Sequence, residues 1–205
     1  MAVSFNANTD AIWNYFSSRI NNDYGVAGLM GNLWAESGCN PINVQDSSGW
    51  TDEAYTNAVN DGTYTNFVND SIGYGIAQWT FSTRKQALYN LKVQMGVSIG
   101  DLNMQVDYLW YELQNNYSST LTILQNATSL RQASDEVLFH FENPSDQSEA
   151  VQLVRFGYSS EMYEHYSGTP PTPTPPEPFT PIARKKPLFL MCGNSRKKRM
   201  FYERR

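Results

Sequence analysis

Apolar positions recur at helical spacing along most of the first 168 residues. DAIWNYFSSRI (10–20) places Ile12, Trp13, Phe16 and Ile20 on one face, with Asp10 as an N-cap. Residues 24–36, which contain VAGLMGNLW, are apolar nearly all round and predict a helix buried on every side. Residues 84–95 predict a helix stopped by Gly96, and DLNMQVDYLWYELQNNY (101–117) repeats Leu102, Val106, Leu109 and Leu113 at helical spacing. Ser129 caps a predicted helix that runs to about Phe141 and ends before Asn143-Pro144. Ser145 or Asp146 starts another that reaches about Tyr166. Residues 37–80 break this pattern. They are rich in Asn, Asp, Ser, Thr, Gly and Tyr, and short runs such as YTNFV (64–68) predict small strands and turns. The predicted fold class is α+β: a mostly helical body with a small polar β lobe inserted after the helix that ends in Glu36.

Beyond residue 168 the chain changes character. TPPTPTPPEPFTP (169–181) predicts an extended, semi-rigid linker. The remainder, 182–205, is too short to hold a core. The predicted organisation is therefore a body (1–168), a Pro-rich linker (169–181) and a short tail (182–205). Charge follows the same division. The body carries 6 Lys and Arg against 18 Asp and Glu, net −12, and residues 169–205 carry 9 against 2, net +7. Arg184, Lys185, Lys186 and the run Arg196 to Arg199 flank an apolar LFLMCG, a composition suited to an anionic wall polymer or membrane surface. Few aromatics accompany these cations, so nucleic acid is not an expected partner. MAVSFNANTD has neither the basic start nor the apolar stretch of a signal peptide, which predicts synthesis in a bacterial cytoplasm without an export leader. The two cysteines, Cys39 and Cys192, lie on either side of the linker and are expected to be free thiols.

The candidate chemistry begins with AESGCNP (35–41). Glu36 falls in the last turn of the buried helix, which Gly38 and Pro41 stop. The negative end of the helix dipole and the neighbouring Leu33 and Trp34 both disfavour a charged carboxylate there, and the segment has no Lys or Arg. A carboxyl that keeps its proton near neutral pH suits protonation of a leaving-group oxygen. An exposed glutamate at a helix end, without a role, has the same position. GYGIAQWT (73–80) is the second segment. Its glycines allow close approach of a ligand, Gln78 offers an amide, and Tyr74 and Trp79 offer stacking faces. The other reading of this segment is a tight turn with a core tryptophan.

Taken together, MGNLWAESGCNP, the hairpin-like TDEAYTNAVNDGTYTNFVNDS, GYGIAQWTFSTRKQAL, IGDLNMQVDYLWYEL and FENPSDQSEAVQLVRFGY resemble the phage tail lysozyme family of the lysozyme-like superfamily, over roughly residues 9–166. The resemblance implies cleavage of the β-1,4 bond between N-acetylmuramic acid and N-acetylglucosamine in peptidoglycan. It implies Glu36 as the catalytic acid and Tyr74 and Gln78 as cleft-lining residues, and Trp79 joins them as a stacking candidate. Such glycosidases commonly use a second carboxylate. Asp70, just before the Gly-Tyr-Gly turn, is the favoured candidate and Asp46 the alternative. Catalysis through a held water or the substrate acetamide remains open.

Other chemistries find little support. His140 and His165 have no partner at metal-ligand spacing, and no phosphate loop or serine-hydrolase elbow occurs, so no cofactor is expected. Cys39 has no nearby histidine to activate it. The expected function is that of an endolysin or virion-associated lysin acting on peptidoglycan glycan strands. The alternatives are a lytic transglycosylase on the same bond and a non-catalytic wall-binding or tail structural module.

Overall fold

The computed structural model describes residues 2–168. The predicted linker (169–181) and tail (182–205) lie outside the described residues. The body consists of α1 (Ala7–Ile20), α2 (Asp23–Ser37), α3 (Asp52–Asp61), α4 (Ser82–Met95), α5 (Leu102–Asn115), α6 (Ser118–Gln125), α7 (Leu130–Val137) and α8 (Glu149–Ser167). A 3-10 turn spans Asp46–Ser48 and a π-helical turn, Leu138–Glu142, continues α7.

α2 is the axis of the molecule, as its all-round apolar sequence predicts. α1, α6, α7 and α8 pack around it, and Val26, Ala27, Leu29, Met30 and Leu33 are completely buried. Two of its glycines set how closely the neighbours approach. A Cβ on Gly28 would stand 2.6 Å from the Ala133 Cβ of α7, and one on Gly31 would collide with Ser159 of α8. This close packing brings α8 across the C-terminal end of α2, where Glu36 lies.

Most helix ends follow their local signals. Asn22 caps α2 through the Gly25 N–H, Asp101 caps α5 through the Met104 N–H, and Ser129 caps α7 through the Gln132 N–H. Gly96 stops α4 in the left-handed conformation. Two starts differ from expectation. α1 begins at Ala7 because Asn6 and Thr9 form a reciprocal capping box, which places the expected cap Asp10 inside the first turn. α8 begins at Glu149 because Asp146 accepts the Ser148 N–H, forming a turn ahead of the helix.

The polar lobe requires a correction. Residues 52–61 form α3 instead of a hairpin strand. Thr51 caps the helix through the Ala54 N–H, Asp52 and Glu53 occupy its first turn, and Gly62 stops it at φ 80°. Tyr55, Thr56 and Val59, at helical spacing, face the core. YTNFV is irregular chain and turn. Among the described residues β pairing is limited to an isolated antiparallel bridge between Val44 and Tyr74. Two backbone hydrogen bonds of 2.9 Å close it, Gln45 N–H to Gly73 O and Gly75 N–H to Asn43 O.

Candidate active site

Glu36 ends α2 with an ion pair that its own segment does not foretell, so the expected surroundings free of Lys and Arg are not those found. Arg155 of α8, 119 residues further along, donates from Nη2 to Glu36 Oε1 at 2.5 Å and from Nη1 to Asn32 Oδ1 at 3.1 Å. Asn32 is itself fixed, donating to Gly28 O and Ser134 O. The guanidinium is thus held in place before it reaches Glu36, whose side chain stays 20% exposed. The GYGIAQWT turn docks against the same helix end. The Ser37 hydroxyl donates to Ile76 O at 2.9 Å, and Gln105 of α5 accepts the Ile76 N–H at 3.0 Å.

Two adjoining hollows, of about 300 and 370 Å³, share Glu36, Gln45 and Gln78. The first adds Phe81, Arg84, Glu142 and Pro144. The second adds Asn43, Asp46 and Ser47. Gln78 sits at a left-handed φ of 42°, and its amide nitrogen donates to Asn43 and Gly75. Glu36, Gln78 and the alternative carboxylate Asp46 therefore meet in one cleft.

Three of the expected site residues are elsewhere. Asp70 is buried. It accepts from Lys85 Nζ at 2.5 Å, from the Tyr55 and Tyr64 hydroxyls at 2.6 and 3.1 Å, and from the Ile72 N–H at 3.0 Å. Lys85 is fully buried, burial lowers its pKa, and Asp70 opposes that shift. A buried ammonium needs a paired carboxylate, so Asp70 anchors α4 and α3 to the lobe instead of facing the cleft. Tyr74 is fully buried, with its hydroxyl 2.7 Å from Thr56 Oγ1. Trp79 is also fully buried, and its Nε1 donates at 2.8 Å to Glu112, which Arg84 grips in bidentate fashion. Neither ring has a face for a ligand. The tight turn with a core tryptophan is the arrangement found.

The cleft also holds residues that motif and periodicity do not single out. Phe81, at the N-cap of α4, is 72% exposed and lines the hollow beside Glu36. Glu142 ends the π-helical turn, and π turns often occur at functional positions. Its Oε1 is sealed from solvent and has no hydrogen-bond partner. Burial, followed by the charge on Glu36, pushes its pKa up to about 8. Arg84 and Arg155 oppose the shift and Glu112 adds to it. The signal that marks Glu36, a carboxylate at a helix end before a stop, is present again in Glu142-Asn143-Pro144.

Among the described residues no group of three or more His, Cys, Asp and Glu is placed to hold a metal ion, and no helix is long and apolar enough to cross a membrane. No curated protein matches the sequence. The family model for phage tail lysozyme matches residues 7–166, which run from the start of α1 almost to the end of α8 and include the whole cleft. The chain belongs to the phage tail lysozyme family, a lysozyme-like family of peptidoglycan-degrading phage enzymes.

Proposed function

We propose that the chain is a muramidase that hydrolyses the β-1,4 bond between N-acetylmuramic acid and N-acetylglucosamine, with Glu36 as its general acid. The observation that carries this reading is the position of Glu36. It is a partly buried carboxylate held by one buried arginine and open to a cleft that also contains Gln45, Gln78 and Asp46. Glu36 gives its proton to the glycosidic oxygen as the bond to the anomeric carbon breaks. Asp46 takes a proton from the water that attacks this carbon, so the two carboxyls exchange roles in proton content over one turnover. Arg155 orients Glu36. The Gln45 and Gln78 amides suit sugar hydroxyl and acetamide groups, and Phe81 supplies the stacking face expected of Tyr74 or Trp79.

A lytic transglycosylase is the second reading. The burial of Asp70 favours it, since this removes one of the two candidate second acids from the cleft. Such an enzyme works with Glu36 alone and leaves an anhydro-muramic end. On either reading the enzyme acts on the wall as a phage endolysin or virion-associated lysin, and its basic tail contacts an anionic wall polymer or membrane surface.

The test is mass spectrometry of fragments released from purified sacculi by wild type and Glu36→Gln. Reducing muramic ends from wild type alone support the muramidase, and anhydro ends support the transglycosylase. No fragments from either protein would leave a non-catalytic wall-binding or tail module.

A further inference from the structure

Two carboxylate oxygens among the described residues are sealed from solvent without a hydrogen-bond partner, Asp135 Oδ1 and Glu142 Oε1. Asp135 has its other oxygen held by Arg131 at 2.6 Å. Glu142 has no ion pair among the described residues, and it is the one of the two that lines the cleft. Charged groups face it from four helices: Glu36 of α2, Arg84 of α4, Glu112 of α5 and Arg155 of α8. Both arginines are committed elsewhere, Arg84 to Glu112 and Arg155 to Glu36. A carboxylate in this position would have one oxygen desolvated and without a donor, and would lie close to two other carboxylates, so the neutral form is favoured. A neutral carboxyl carries an O–H donor. Oε1 is sealed from solvent, so it is through Oε2 that Glu142, which is only half-buried, meets a ligand in the hollow that also contains Glu36 and Phe81.

We propose that Glu142 is a substrate-binding carboxyl that donates a hydrogen bond from its neutral form to an oxygen of the bound glycan, a sugar hydroxyl or an acetamide carbonyl, beside the bond that Glu36 attacks. The proposal rests on the glycosidase reading and adds a binding contact to it. It carries a pH consequence. Loss of the proton replaces a donor with an acceptor, places a negative charge near Glu36, and competes for Arg155. Substrate binding therefore weakens as pH rises through the region near 8.

The experiment has two arms on the full-length chain. The first follows the 13C carboxyl signal of Glu142 through a pH titration, alone and with soluble glycan fragments made by digesting sacculi with another muramidase. Titration far above the ordinary glutamate range and a signal moved by the fragments are expected. An ordinary glutamate titration, or a signal that ignores the fragments, overturns the proposal. This arm does not depend on activity. The second arm measures kcat and KM on sacculi from roughly pH 6 to 9 for wild type, Glu142→Gln and Glu142→Ala, with thermal melts beside them. Wild type should show KM rising on the alkaline side. Glu142→Ala should raise KM about 3–10-fold at the acid end, the size of one neutral hydrogen bond. Glu142→Gln, which keeps an N–H donor and cannot ionise, should recover most of that loss and flatten the alkaline rise. If Glu142→Ala does not fold, Glu142→Gln alone carries the test through its pH profile. A collapse of kcat in Glu142→Gln with KM unchanged would make Glu142 a proton donor, and an alkaline rise that persists in Glu142→Gln would remove its role in binding. If wild type releases no fragments, the glycosidase reading fails, and the spectroscopic arm still decides whether Glu142 meets a glycan.

Discussion

Glu36 and Asp70 each form an ion pair at 2.5 Å, to Arg155 and Lys85 respectively, and the two pairs do different work. The Asp70 pair is closed. Both side chains are buried, and the carboxylate accepts from four donors drawn from the lobe, α3 and α4. The Glu36 pair is open. Its arginine is buried and tethered to Asn32, while the carboxylate keeps one side toward the cleft. A carboxylate whose lone pairs are all occupied by protein donors is part of the framework. One oriented by a single donor beside a hollow has capacity left for a substrate.

The two pairs should separate under mutation. Glu36→Gln is expected to lower fragment release by ~10²–10⁴-fold, the usual scale for general-acid catalysis, while the thermal midpoint stays near wild type. Asp70→Asn is expected to do the reverse. It leaves the Lys85 ammonium buried without a counter-charge and should cost about 3–5 kcal/mol in urea denaturation. Asp70→Asn combined with Lys85→Met should recover much of that loss, because the stranded charge is gone. A folded, stable Asp70→Asn that releases no fragments would show that the closed pair belongs to the chemistry after all.

Glu142 adds a third environment, half-buried with one sealed oxygen and no ion pair among the described residues, with a signature in the stability curve. Its pKa is raised from 4.5 to about 8 in the folded chain. Between those values the folded state holds a proton that the unfolded state has released. The stability this represents is complete below about pH 4.5 and is lost as pH rises through about 8. The slope contributed by one proton is at most about 1.4 kcal/mol per pH unit. Urea midpoints should thus fall from mildly acidic toward alkaline pH in wild type and fall less in Glu142→Gln. Parallel curves for the two proteins would place the titrating group elsewhere.

The helices with strong apolar spacing, α2, α5 and α7, are legible in the amino-acid pattern, as is the Gly96 stop of α4. α3 is not, because DEAYTNAVND has the Asp, Asn and Thr content of a turn and depends on a Thr51 cap and a Gly62 stop. The eight-residue α6 offers too short a pattern to read. Of the residues that line the candidate cleft, Glu36 and Gln78 can be picked out because each lies beside a local stop or glycine signal. Arg155 cannot, since its pairing spans 119 positions and depends on how α8 crosses α2. The expectation for Asp70 fails for a related reason. Its closeness in sequence to the Gly-Tyr-Gly turn says nothing about the lysine that reaches it from α4.

Phe81 and Trp79 are the finest version of the same contrast, two aromatics two residues apart with opposite fates. The chain turns at Gln78 in the left-handed conformation, Trp79 goes inward to Glu112, and Phe81 stays 72% exposed on the cleft wall. Composition and periodicity assign both rings the same capacity to stack, and only the turn distinguishes them. Phe81→Ala removes a ring that contributes little to the core, so the melting temperature should hardly move. If the ring stacks on a sugar, KM on sacculi should rise about 3–10-fold with kcat little changed, consistent with aromatic contacts of about 0.5–1.5 kcal/mol. Phe81→Trp should retain or lower KM, because it offers a larger face at the same position. An unchanged KM in Phe81→Ala would remove the ring from the substrate path and leave recognition to the amides of Gln45 and Gln78.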